Sequence, residues 1–306
     1  MNVRTYSVKY ILFKVFGCLL AIAVIWFLYR NFSVSWEQLQ PHLSKISLRF
    51  FLLASVVYAI AFLVTGWNWM LVQYRVYPGI SRIYYLDIHV TTAFARYLPG
   101  GIWNIVGKAV WCNRLGAPAK MTGAGIVVEY LFQIMSSCVF LLFFLPEFWN
   151  WNRGAGILLL TAGICGIVFL SYWCRLGFRL WNRLFKNSVD FDLPVSFLYQ
   201  LLGRYLFAWL ITGTGILLLA TALTGETQPI PVTLVFAYPV AWVIGFLSPS
   251  PNGLGIRELV LHFLLSSQMD EPSLLLLLLT ARCWTIAGEI IAWLGIRLFR
   301  SLENYF

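Results

Sequence analysis

Six stretches of this chain, at about residues 11–29, 48–72, 121–145, 154–174, 197–223 and 272–299, stay apolar for the roughly 20 residues a helix needs to cross a bilayer. Such a pattern leaves few folds. In hydrocarbon every backbone N–H and C=O must find a partner within the protein, so only α-helices or a closed β-barrel can span. The runs are continuous rather than alternating, which argues against a barrel. The expected fold is an all-α polytopic membrane protein, a single integral membrane domain over residues 1–306. The composition, 60% hydrophobic and 11% charged, lies outside the range of soluble domains. The run at 11–29 follows Arg4, Lys9 and Lys14 but has no small-residue cleavage site, so it reads as an uncleaved first span.

Two further apolar regions, about 84–113 and 230–268, are too long for loops. Each is broken near its middle, by "YLPGGIW" at 97–103 and by "LSPSPNGLGIRE" at 247–258. Proline and glycine end helices, and the limbs on either side are short for a full crossing. Two re-entrant helical hairpins are therefore expected, since irregular backbone at membrane depth is tolerated where protein or a cavity satisfies it. Elsewhere, Pro118 and Pro272 mark the starts of the third and last spans. "SWEQLQPHL", with Ser35 and Gln38 at capping-box spacing, suggests a short interfacial helix.

The net charge of +10 does not indicate nucleic acid, because the basic residues are spread over short loops between spans. With the N-terminus inside, the cytoplasmic set is Arg4, Lys9, Lys14, Arg75, Arg82, Arg114, Lys120, Arg175, Arg179, Arg183, Lys186, Arg297 and Arg300. The external set is Arg30, Lys45 and Arg153. Thirteen against three places both termini on the cytoplasmic side, in a bacterial inner membrane. The two breaks then enter from opposite faces. From the start of the second span to Pro99 is 51 residues, and from the start of the fifth to Pro251 is 54. The following spans begin 22 and 21 residues later. Six spans and two hairpins thus form an inverted repeat, about 1–150 and 151–306, the arrangement of transporters with a midplane site.

Charges inside a membrane are expensive and need a reason. Arg96 precedes the first break, whose new helix limb, after Pro99, Gly100 and Gly101, would turn its N-terminus inward and favour an anion. Arg96 either joins that anion site, caps carbonyls of the broken helix or pairs with Glu129. At the second break Asn252 is read as the N-cap of a limb starting at Gly253. Arg257 is read as facing substrate, with Glu258 turned to a partner such as Arg282; the alternative is a purely structural ion pair holding the hairpin. Glu129 and Arg282 lie 30 and 31 residues after Pro99 and Pro251, so a bridge between them across the pseudo-two-fold is expected. Glu289 is a candidate proton site. Arg204 and Lys108 are read as snorkelling to an interface, and His89 and His262 as satisfied packing residues.

Enzymatic signals are poor. "DFD" at 190–192 matches a short metal–nucleotide pattern of glycosyltransferases but sits in a basic loop, and no P-loop, H-E-x-x-H or G-x-S-x-G is present. The six cysteines form no C-x-x-C and read as small buried hydrophobes. No metal or cofactor is implied.

"RYLPGGIWNIVGK" and "PNGLGIRE" together resemble the signature of the lysylphosphatidylglycerol synthase membrane-domain family, the flippase part of multiple peptide resistance factors. The resemblance rests on Arg96, Tyr97, Pro99, Gly100, Gly101 and Trp103 in the first motif, and on Gly253, Gly255, Arg257 and Glu258 in the second. Asn252 stands where the family often has glycine. The resemblance implies two re-entrant segments and a lipid flippase whose headgroup site uses these residues. It also implies that the soluble synthase domain is missing from these 306 residues, which leaves the lipid open between a phospholipid and a polyprenyl-phosphate-linked one. Expected partners are that lipid, a second copy of the chain, or a lipid-modifying enzyme. The competing expectations are a polyprenyl-phosphate-dependent glycosyltransferase or its accessory subunit, and a scaffold whose two breaks pack dry.

Overall fold

The computed structural model describes residues 46–97, 102–144, 153–168, 193–225, 233–248 and 250–303, and single positions at 26, 40, 172, 175, 176, 179 and 183. The first span apart from Trp26, the interfacial segment at 35–43 apart from Gln40, and the DFD motif lie outside these residues.

All regular structure among the described residues is helical. Four helices are long and apolar enough to cross a membrane: α1 (Leu48–Val76), α4 (Ala119–Phe140, continued by a 3-10 turn to Phe144), α6 (Val195–Thr224) and α9 (Glu271–Glu303). They coincide with the expected second, third, fifth and sixth spans. Helix α5 (Arg153–Val168), where the fourth was expected, has 16 residues. Between the long helices lie two broken pairs. Helices α2 (Arg82–Ala93) and α3 (Trp103–Arg114) flank the first break, α7 (Thr233–Leu247) and α8 (Ile256–Leu265) the second.

Local chemistry explains the boundaries. The Asp270 carboxylate accepts the Ser273 N–H at 3.1 Å, which caps α9 and leaves Pro272 in the first turn, where no N–H is needed. Helix α6 ends at Gly225, whose φ of +80° a side chain would resist. Its last turn receives the chain entering α1, through Ser47 N–H to Ala222 O at 2.9 Å. Hydroxyls in the long helices return to their own backbone, as Ser55 to Phe51 O, Thr212 to Ala208 O and Thr280 to Leu276 O. This removes polar groups from an apolar surrounding.

Helix α1 packs most extensively along α6. Across the rest of the bundle, α9 lies on α1 and α4 on α6, while α2 lies against α9 and α7 against α4. Close approach relies on small residues, as membrane helices do. At Gly288 of α9 a Cβ would come within 2.8 Å of the Ser55 carbonyl oxygen of α1. The largest buried cluster gathers around Trp284, Ile216, Leu219 and Leu274. Of the described cysteines only Cys112 is buried; Cys165 and Cys283 are exposed, because apolar helices here turn outward as well as inward.

Candidate functional site

The two breaks meet at the centre of the bundle and, with α1, α4, α6 and α9, wall a cavity of about 320 Å³. They do not pack dry.

At the first break α2 tightens into a 3-10 turn at Phe94–Tyr97. Arg96 Nε donates to Ala93 O at 3.0 Å, capping the broken helix as one reading expected. Its Nη1 lies 3.2 Å from Glu289 Oε1. Tyr97 donates its hydroxyl to the other oxygen of Glu289, also at 3.2 Å. Arg96 therefore pairs with Glu289 of α9 rather than with Glu129. Pro99, Gly100 and Gly101 lie outside the described residues. Trp103 begins α3 and is partly exposed, outside the cavity wall.

The second break is built differently. Pro251–Gly253 form a 3-10 turn, with Asn252 at φ +50°, Gly253 at +65° and Gly255 at +82°. Three such residues so close together prevent a helix from starting at Gly253. Helix α8 begins at Ile256, so Asn252 is not its N-cap. The capping group is the Glu258 carboxylate, which accepts the Gly255 N–H at 2.6 Å. Glu258 also accepts from Arg282 at 2.7 Å, the partnership read from sequence. Arg282 donates further to the carbonyls of Asn252 and Gly253, both at 3.3 Å, so one guanidinium holds the whole turn. The expected Glu129–Arg282 bridge does not form: each residue finds an opposite charge within its own half.

The partner of Glu129 is Lys108. Its Nζ lies 2.6 and 2.8 Å from the two carboxylate oxygens, and both side chains are almost fully buried. Lys108 also lies 4.4 Å from the centre of the Trp69 ring. Its position on α3 turns it inward, so it does not snorkel. His89 stands beside this pair, Nδ1 at 3.6 Å from Glu129 Oε1, with neither ring nitrogen hydrogen-bonded. It is held instead by Phe62 and Trp69, so it is a packed residue but not a satisfied one. His262 does find a partner, Glu271 at 3.2 Å, on an exposed surface away from the cavity.

Arg257 is the exception. Its Nη2 reaches Asn252 Oδ1 at 3.3 Å, its Nε is buried without a hydrogen-bond partner, and no described carboxylate lies within ion-pair distance. Gly245 of α7 makes room for it, since a Cβ there would stand 2.5 Å from Arg257 Cγ. Counting histidine as neutral, the described cavity wall holds Arg96, Lys108 and Arg257 against Glu129 and Glu289. One positive charge is left over, and it is placed beside Asn252 and the N-terminus of α8, where the helix dipole adds to it.

Other wall residues give the cavity a polar and aromatic lining. Asn104 donates to the Tyr130 hydroxyl at 2.7 Å, and Tyr58, Tyr238 and Trp242 complete the aromatic side. Sequence reasoning passed over Asn104 and Tyr238, and read Lys108 as snorkelling. A lysine in the middle of an apolar limb was the available signal that Lys108 is buried and paired. Arg204 lies on α6 away from the cavity, so it couples to none of these pairs. Among the described residues no three His, Cys, Asp or Glu side chains gather as a metal would require.

The family model described as "Lysylphosphatidylglycerol synthase TM region" matches residues 14–292 of the chain. No curated protein matches it.

Proposed function

Because the chain belongs to the lysylphosphatidylglycerol synthase transmembrane-region family, we propose that it moves a phosphate-bearing lipid headgroup across the bilayer through the cavity between its two breaks. It is on this reading a transporter and not an enzyme. The observation that carries the reading is Arg257, a surplus guanidinium at the cavity wall whose buried Nε has no hydrogen-bond partner and which has no described carboxylate within ion-pair distance.

A phosphodiester brings one negative charge, equal to the surplus of one on the described wall. It would seat against Arg257 and the Asn252 amide. Arg96 stands ready as a second donor, exchanging Glu289 for phosphate oxygen, with Tyr97 keeping hold of the released carboxylate. Arginine suits the task, since its planar fork matches two phosphate oxygens at once. Only the headgroup needs to leave the bilayer; the acyl chains stay in hydrocarbon, which removes most of the desolvation cost of the polar part.

The broken pairs α2/α3 and α7/α8 act in this reading as re-entrant hairpins entering from opposite faces, within six spans. The packing supports an inverted repeat: exchanging α1–α4 for α6–α9 in order turns the α2–α9 contact into the α7–α4 contact. Exchange between two such halves gives alternating access around a fixed site. The Lys- and Arg-rich loops face the cytoplasm of a bacterial inner membrane.

The test is translocation of a fluorescent phospholipid in proteoliposomes. Wild type should exceed protein-free vesicles, and Arg257→Gln should slow the movement at least tenfold while Trp103→Phe leaves it unchanged. Equal rates for wild type and Arg257→Gln would overturn the reading.

A further inference from the structure

A second concentration of positive charge lies outside the cavity. Arg75 sits in the last turn of α1, Arg82 opens α2, and Arg204 lies in the third turn of α6. Arg204 and Arg82 are both within electrostatic reach of Arg75. The chain fixes two of these guanidiniums on aromatic faces. Arg75 is 3.8 Å from the centre of the Phe197 ring, and Arg82 is 4.7 Å from that of Tyr74.

None of the three has a carboxylate within ion-pair distance among the described residues. Arg75 reaches only the Leu71 carbonyl, at 3.5 Å, too far for a strong hydrogen bond. Arg204 Nη1 is buried and has no hydrogen-bond partner. Of the other partly buried arginines described, Arg96 and Arg282 each meet a glutamate and Arg300 meets Asp87, which leaves the substrate candidate Arg257. Like charges repel, and an arginine on a membrane helix is costly without a counter-ion. Arg75 and Arg82 are exposed and Arg204 is half-buried, so the cluster is open to an anion that would offset its concentrated charge.

We propose that Arg75, Arg82 and Arg204 bind the phosphate of an anionic phospholipid of the surrounding leaflet, seated between α1 and α6 and separate from the transport cavity. The site's position favours a lipid over a free anion. Arg204 lies roughly 14 Å along α6 from its first residue, below the helix end. Phe207, one turn further on the same flank, is 58% exposed and offers an apolar surface to an acyl chain. Basic pockets between helices at one face of the membrane recognise anionic headgroups in this way.

The test uses the full chain in neutral detergent, with phosphatidylglycerol, phosphatidylcholine and inorganic phosphate as probes. Thermal unfolding and native mass spectrometry report stabilisation and retained lipid. Phosphatidylglycerol should raise the midpoint and stay bound, and the other two should do neither. Arg75→Gln, an exposed change that removes no strong bond, should weaken retention. The triple change Arg75→Gln, Arg82→Gln and Arg204→Gln should abolish it, whereas Arg204→Lys with the other two intact should keep most of it. Arg257→Gln should leave it unaltered, which separates this site from the cavity. Equal retention of phosphatidylglycerol and phosphatidylcholine, an equal effect of inorganic phosphate, or full retention by Arg75→Gln together with Arg82→Gln would each overturn the proposal.

Discussion

The two breaks share a pattern in sequence, a Pro–Gly interruption with an arginine beside it, yet they neutralise charge in opposite ways. The first reaches outward: Arg96 and Tyr97 both hold Glu289 on α9, in the other half of the chain. The second closes on itself: Arg282 and Glu258 bind each other and the turn's own backbone, and leave Arg257 over. The outer contacts differ as well. Asp87 of α2 is gripped by Arg297 and Arg300 of α9, whereas Phe236 of α7 stacks on Phe143 next to α4 at 3.8 Å. A charged grip on one side and an aromatic one on the other mean that the two halves respond to different conditions. The first break carries the pairs that the proposed transport would exchange; the second carries a turn held by Arg282 that presents Arg257, which has no carboxylate within ion-pair distance among the described residues.

The sharpest way to break this contrast is at the most deeply buried pair of the first half, Lys108 with Glu129. Glu129→Gln leaves Lys108 charged and without a partner. We expect a loss of about 3–5 kcal/mol, read as a large fall in the unfolding midpoint in detergent. The double change Lys108→Met with Glu129→Gln should recover much of it, because no unpaired charge remains. The next contrast is between the arginines. Arg257→Gln should stop translocation with little change in stability, whereas Arg96→Gln should reduce both, since it also strands Glu289. If Arg257→Gln lowers stability as much as Arg96→Gln does, Arg257 is structural and the contrast fails.

Gly245→Ala should act through the same guanidinium. Its methyl would meet Arg257 Cγ, so translocation should fall several-fold while the midpoint drops by no more than about 1–3 kcal/mol, the usual cost of overpacking. The smallest effects are expected at the outer contacts. Asp87→Asn should cost about 1 kcal/mol or less at low salt, because both arginine partners are part-exposed, and the effect should vanish in 1 M salt. Phe236→Ala should lose a similar or larger amount independently of salt. A salt-insensitive Asp87→Asn would show that the grip is not ionic.

Much of this was legible in the chain. The four long helices coincide with apolar runs because hydrocarbon forces helices of that length wherever such runs occur. The two breaks were marked by proline and glycine, whose backbone effects are local. The Arg282–Glu258 partnership was also within reach, because a charge in an apolar span calls for an opposite charge and Glu258 lies at the break one helix before Arg282. Less local features were misread. Asn252 has the chemistry of an N-cap, but three consecutive or near-consecutive positive φ values delay the helix to Ile256. Lys108 read as snorkelling because its depth was judged by position along a limb and not by which way the limb faces.

What the sequence alone determined, then, is where the chain must be helical, where it must break, and that charge is present at the breaks. Those follow from backbone hydrogen bonding, proline and glycine sterics and the thickness of a bilayer, all of which act over a few residues. Which carboxylate meets which cation was decided only in three dimensions. Glu289 lies 193 residues from Arg96, and their meeting depends on the rotation of α9 about its axis, set by packing such as Gly288 against Ser55. With three cations and two carboxylates brought to one wall, that packing alone decided that Arg257 would be the one without a partner.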